Sequence, residues 1–116
     1  MSIQRIGCGP RMSNAVVHGN TVYLAGRVAT SAKGSSVTEQ TKDILAQIDE
    51  TLAEAGTDKT KILSTTIYLS DIKTFAEMNA VWDGWVAKGN TPARATVEAK
   101  LAHPDFTVEI VVVAAR

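Results

Sequence analysis

The sequence contains a single cysteine, and this scarcity limits what can hold the fold together. Cys8 has no partner for an internal disulfide. No cysteine and histidine residues stand at the spacing of a zinc site. We therefore expect neither a disulfide nor a structural metal, so the fold depends on packing.

Net charge and long apolar runs are also absent. The chain has 12 basic and 12 acidic side chains, so no overall field draws it to nucleic acid or to an anionic membrane. The longest apolar stretch, residues 110–115, is too short to span a bilayer, and arginines among the first thirty residues argue against a signal peptide. We therefore expect a cytoplasmic protein. A length of 116 residues suits one packed core, so we expect a single domain over residues 1–116.

The sequence alternates between the periodicities of strands and helices. The predicted strands cover residues 2–6, 13–18, 21–29, 61–70, 92–102 and 107–115. Gly19-Asn20 suits a tight hairpin turn between the second and third strands. Helical spacing predicts helices over residues 37–55 and 74–88, with the capping pairs Ser36/Glu39 and Thr74/Glu77. The predicted order is βββαβαββ, an α+β arrangement.

This order has a consequence for the two faces of the sheet. Two strand–helix–strand crossovers of the usual hand put both helices on one face of a mixed sheet. The last strand, TVEIVVVAA, is apolar on both sides, so it needs cover on both sides. Since the chain has only two helices, we expect other copies of the chain to cover the second face, which predicts a homo-oligomer. The alternative is a sheet that curls on itself.

Two charged side chains interrupt the last two predicted strands. Glu109 shares a strand face with Val111 and Val113, where an unpaired carboxylate costs several kcal/mol, so it needs a partner or a function. Arg94 lies in the strand NTPARATVEA. The turn at 103–106 predicts that these strands pair as an antiparallel hairpin, which places Arg94 roughly 20 Å from Glu109. We therefore expect the two side chains to meet only across a boundary between chains.

Three segments together resemble a known family. GNTPARATVEAKLAHPDFTVEIVVVAA, VVHGNTVYLAGRVA and FAEMNAVWDGW are similar to the Rid, or YjgF, family of enamine/imine deaminases. The helix sequence AVWDGWV is especially similar to the short YoaB-type branch. The resemblance covers nearly the whole chain. It implies a chorismate-mutase-like (YjgF-like) α+β fold and a homotrimer with clefts between subunits.

The resemblance also implies roles for particular residues. Arg94 corresponds to the arginine that holds the substrate carboxylate, for which a planar fork of donors is well suited. Glu109 corresponds to the glutamate that orients or deprotonates the attacking water. Asn79 corresponds to a helix asparagine near the cleft, and Gly26 to a glycine whose backbone lines the pocket. Thr96 stands where many members have cysteine, and it keeps a hydroxyl for hydrogen bonding.

The reaction implied by the resemblance is hydrolysis of a 2-aminoacrylate or 2-imino acid to the 2-keto acid and ammonia, without a cofactor. An alternative is a non-catalytic trimeric module in which Arg94 binds small carboxylates or 2-keto acids. A ribonuclease or translation inhibitor, an activity attached to some relatives, is disfavoured by the neutral charge and the lack of a basic, aromatic-bearing stripe. A further alternative is that Arg94 or Glu109 serves only at an interface.

Overall fold

Seven strands form one mixed sheet in the computed structural model, which describes residues 1–116. The strands are β1 (Ile3–Ile6), β2 (Ala15–His18), β3 (Thr21–Leu24), β4 (Arg27–Val28), β5 (Ile62–Leu69), β6 (Ala93–Glu98) and β7 (Val108–Ala115). The helices are α1 (Val37–Glu54) and α2 (Phe75–Trp85), and short 3-10 turns cover Lys59–Lys61 and Ile72–Thr74. The strand predicted over 21–29 is therefore divided in two at Ala25 and Gly26.

The strand order is β1-β2-β3-β7-β5-β6, with β4 also paired to β7. β7 is antiparallel to β3, β4 and β5, whereas β5 and β6 are parallel. The predicted hairpin between the last two strands is wrong, because β5 lies between β6 and β7. Residues 99–107 connect these two strands past the end of β5 rather than through a tight turn.

Both helices pack on one face of the sheet, as predicted. Burial alternates along β7, so that every second side chain faces the helices. The apolar core on this face includes Ile67, Val108, Ile110 and Val112 from the sheet and Ile44, Leu45, Ile48, Leu52, Met78 and Trp82 from the helices. Each large apolar side chain that is fully buried contributes about 1.5–3 kcal/mol, so this layer dominates the stability of the chain. Neither helix has the length and apolar character that crossing a membrane requires.

The first helix begins and ends as the sequence predicts. Ser36 accepts a hydrogen bond from the backbone N–H of Glu39 at 3.1 Å, which satisfies one free donor of the first turn. Gly56, with φ +79°, follows the last turn in the left-handed conformation that glycine adopts without strain. The boundaries of α1 are therefore set by local chemistry.

The second helix differs from its prediction at both ends. Thr74 makes no side-chain capping bond, so the predicted Thr74/Glu77 pair is wrong. Glu77 instead accepts hydrogen bonds from the backbone N–H and the hydroxyl of Thr38, which joins α2 to the start of α1. The helix ends at Trp85 rather than at residue 88, because Val86 has an extended backbone with ψ 143°.

The face opposite the helices is uncovered in the single chain. Val111 and Val113 lie half-buried at its centre, while Tyr23 and Val97 are 49% and 41% exposed. The edge strands β1 and β6 do not pair, so the sheet does not close on itself. Leu63 is 52% exposed because the register shifts between Ile62 and Ser64. The prediction of a bare second face is confirmed.

Candidate functional site

Arg94 lies at the edge of the sheet, on the face covered by the helices. In the β5–β6 register it pairs with Thr65, which is buried. Its guanidinium carbon is 5.3 Å from the centroid of the Trp82 ring and 5.8 Å from that of Phe75. No carboxylate of the chain forms an ion pair with it. The N–H donors of the guanidinium are therefore not taken by a carboxylate of the chain, and two aromatic rings contact the group.

Polar atoms without a hydrogen-bond partner lie next to this arginine. Thr96 follows Arg94 on the same strand face, and Asn79 lies on the face of α2 whose rings contact the guanidinium. The buried atoms Oδ1 of Asn79 and Oγ1 of Thr96 and Thr65 have no partner within the chain. An unpaired buried polar group costs about 1–3 kcal/mol. Arg94 and these unpaired atoms together form a candidate site for a small ligand that carries both an anionic group and hydrogen-bond donors.

Glu109 lies on the opposite, uncovered face of the sheet. It pairs with Tyr68 of β5 and Val28 of β4, and it forms no ion pair within the chain. Gly26 approaches it so closely that a Cβ on Gly26 would lie 2.4 Å from Oε2 of Glu109. A side chain at position 26 would therefore make the Glu109 carboxylate move from its present position.

The cavities of the chain do not locate the site by size alone. Glu109 borders a shallow cavity of about 290 Å³, together with Tyr68 and Lys100. The largest cavity, about 490 Å³, lies beyond the end of β6 and contains none of the predicted site residues. No cluster of histidine, cysteine, aspartate or glutamate side chains is arranged to hold a metal ion. Charge and unpaired polar atoms are therefore the better guides.

The predicted site residues fall into two groups. Arg94, Asn79 and Thr96 lie together on the helix-covered face, and Gly26 and Glu109 lie together on the other face. A single chain does not bring Arg94 and Glu109 together.

Sequence reasoning gave no site role to Trp82, Phe75 or Thr65. Trp82 is buried in the core, yet its ring also contacts Arg94. Thr65 is recognisable only from the pairing of β5 with β6, which the sequence does not predict. Only long-range strand and helix contacts place these residues beside Arg94, and residue type alone does not indicate them.

Comparisons with known proteins cover almost the whole chain. Residues 3–116 match the family model described as endoribonuclease L-PSP. The RutC family protein YoaB of Escherichia coli (strain K12) is 44% identical over 115 residues, which are 99% of each chain. The 2-iminobutanoate/2-iminopropanoate deaminase of Rattus norvegicus is 30% identical over 107 residues, 88% of this chain and 77% of that protein. The crystal structure of NMB1025 from Neisseria meningitidis, a member of the YjgF protein family, has a TM-score of 0.97 at 49% identity, covering 100% of this chain and 96% of that one.

Proposed function

The chain belongs to the YjgF (Rid) family, and on that basis we propose that it is a cytoplasmic hydrolytic deaminase of 2-aminoacrylate and 2-imino acids. The products are the 2-keto acid and ammonia. The observation that carries the proposal is the unpaired guanidinium of Arg94 beside the unpaired buried atoms of Asn79 and Thr96. The name of the rat relative, a deaminase of this substrate class, supports it.

The group around Arg94 binds the substrate. The planar guanidinium takes the carboxylate through two parallel N–H donors, a charge-assisted contact worth about 1.5–3 kcal/mol. The buried Oδ1 of Asn79 accepts a hydrogen bond from the imine or enamine N–H, and the Thr96 hydroxyl offers a further donor. A 2-imino acid carries a carboxylate next to its nitrogen, so it matches both requirements.

Glu109 of a second copy of the chain completes the site. The face that carries Glu109 also presents exposed apolar side chains, including those of Tyr23 and Val97, that another copy would bury. We infer a homotrimer in which each contact between neighbouring chains joins one Arg94 to one Glu109. A closed ring of such head-to-tail contacts makes all its sites equivalent.

The chemistry requires only water. Glu109 takes a proton from the attacking water as its oxygen bonds to the imine carbon, and a carbinolamine forms. The carboxyl group passes this proton to the former imine nitrogen, which makes the carbinolamine neutral. The Glu109 carboxylate then takes the hydroxyl proton and delivers it to nitrogen as the carbon–nitrogen bond breaks, so the carbonyl of the 2-keto acid forms and ammonia leaves. Imine hydrolysis is already fast in water, so a modest reduction of the barrier is sufficient for function.

The test generates 2-imino acids in situ with an amino-acid oxidase and follows their capture by semicarbazide. Wild type should lower the amount of imine that semicarbazide captures, whereas Arg94→Ala should not. Arg94→Lys retains the charge without the fork, and we expect it to remain far below wild type. All proteins must show the same oligomeric mass. No acceleration by wild type across small, branched and aromatic imines would reject the proposal.

A non-catalytic carboxylate-binding module gives a different result in the same experiment. It would be stabilised by 2-keto acids, by about 2.7 kcal/mol at a hundredfold excess over Kd, without accelerating imine hydrolysis. Because the family model is named for an endoribonuclease, an RNA substrate belongs in the assay as a further arm.

A further inference from the structure

The guanidinium of Arg94 is oriented by aromatic rings rather than by hydrogen bonds. The rings of Trp82 and Phe75 lie within the distance of about 6 Å at which a cation is attracted to a ring face. No carboxylate of the chain forms an ion pair with the guanidinium. Since a free arginine side chain samples many rotamers, these rings are what restricts its direction.

The ring of Trp82 is a rigid support because other residues hold it in place. Trp82 is only 5% exposed, and its ring packs against that of Trp85 with centroids 5.4 Å apart. The indole N–H of Trp85 donates to Asp49 of α1 at 2.9 Å, and its backbone carbonyl accepts from Lys59. These contacts connect the position of the Trp82 indole to the packing of α1 against α2.

A ring partner, unlike a carboxylate partner, leaves the positive charge and the in-plane N–H donors of the guanidinium available. A carboxylate would neutralise the guanidinium and take the N–H donors that lie in its plane. A ring attracts the cation through its π face and leaves those donors free. We propose that Trp82, assisted by Phe75, is a positioning residue that holds Arg94 ready for a carboxylate. This inference rests on the proposed function, because it concerns the same arginine.

Kinetic variants separate this role from ordinary packing. Trp82→Leu removes the ring, whereas Trp82→Phe keeps a smaller one. We expect Trp82→Leu to raise KM about tenfold and to change kcat by less than about twofold, since carboxylate binding acts equally on bound substrate and transition state. Trp82→Phe should stay within about threefold of wild type. An equal rise of KM in both variants, or a fall in kcat with an unchanged KM, would overturn the inference.

A matched control variant shows whether the effect is specific to Arg94, and a second ring deletion replaces Trp82→Leu if that variant does not fold. Phe106 also lies beneath a cation, Lys33 at 5.7 Å, but outside the group around Arg94, so Phe106→Leu should leave KM unchanged. Phe75 is 42% exposed, so Phe75→Leu disturbs the core little. It should raise KM in the same direction as Trp82→Leu, by a smaller factor. An unchanged KM in Phe75→Leu together with an unfolded Trp82→Leu would count against the inference.

Nitrogen-15 NMR of the arginine side chains tests the positioning without any turnover. The Nε–H group of Arg94, assigned by its loss in Arg94→Lys, should be ordered in wild type and in Trp82→Phe. It should become mobile in Trp82→Leu, or in Phe75→Leu if the first variant does not fold. Unchanged order in the ring-deleted variant would overturn the inference. If wild type fails to hydrolyse imines, the proposed function falls, and this measurement still decides whether Trp82 orients Arg94.

Discussion

Arg94 and Glu109 lie on opposite faces of one sheet, on strands separated by β5. Arg94 pairs with Thr65, whose partner on β7 is Val112 rather than Glu109. The two charged residues are therefore about 10 Å apart along the strands and about 10 Å apart across them. A site that uses both groups needs two chains, and the uncovered face that carries Glu109 is suited to such a contact.

A methyl group on Gly26 should impair hydrolysis while sparing carboxylate binding. Its Cβ would lie 2.4 Å from Oε2 of Glu109, so the carboxylate must move. We expect Gly26→Ala to lower the rate of imine hydrolysis by about 10- to 100-fold, with Kd for a 2-keto acid changed less than about threefold. Gly84→Ala is the matched control, since nothing lies within 4 Å of its added Cβ. Wild-type rates in Gly26→Ala would contradict a role for the position of Glu109.

A charge at the centre of the uncovered face should dissociate the assembly. Val113 lies on β7 opposite Tyr23, on the side away from the helices. We expect wild type to have a solution mass three times that of the 12.3 kDa chain, measured by light scattering. Val113→Asp should lower this mass and abolish activity, whereas Ala46→Asp on the exposed side of α1 should change neither. A monomeric and active wild type would rule out the shared site.

The amide of Gln40 is a stability determinant of the helix-covered face. It is fully buried, donates to the carbonyls of Ser35 and Asp105, and accepts from the N–H of Thr107. Gln40→Leu leaves these groups unpaired, so we expect the free energy of unfolding to fall by about 3 kcal/mol. Gln47→Leu loses one side-chain bond to a backbone carbonyl and should cost about 1 kcal/mol. Urea titrations at one protein concentration measure the free energy of unfolding of both variants. Equal losses would contradict the larger role of Gln40.

Asp58 should make stability sensitive to acid. The side chain and then the backbone N–H of Thr60 donate to its carboxylate, which lowers its pKa below 3.8. Because its folded pKa is depressed, this stabilisation is present above the unfolded pKa and is lost as the pH falls through the folded pKa. Asp58→Asn keeps an acceptor oxygen but cannot ionise.

The urea midpoint of wild type should therefore exceed that of Asp58→Asn at neutral pH. The difference should shrink as the pH falls below 3.8. A difference that does not change with pH would show that the carboxylate charge contributes nothing.

Local rules predict the local structure of this chain well. The hairpin at Gly19-Asn20 and the start of α1 at Ser36 depend on neighbouring residues, and both form as predicted. The placement of both helices on one face follows from the handedness of strand–helix–strand crossovers, which is a general rule and does not depend on particular residues. These features need no knowledge of distant contacts.

Strand order and the division of the site residues between two faces of the sheet depend on distant contacts, and the sequence predicts neither. A proline turn before β7 is typical of a hairpin, yet β6 pairs with β5 instead, and no local signal distinguishes the two partners. The family resemblance implies site roles for Arg94 and Glu109, and these roles stay a prediction. It did not place them on opposite faces, and it did not indicate that Trp82 contacts Arg94.

The most direct test of the shared site mixes two inactive variants. Arg94→Ala and Glu109→Gln should each be inactive alone. After an equal mixture is unfolded and refolded together, with exchange of subunits confirmed by native mass spectrometry, we predict about a quarter of wild-type activity. In a head-to-tail ring, about one contact in four then joins an intact Arg94 to an intact Glu109. Activity no higher than that of either variant alone would contradict a site shared between chains.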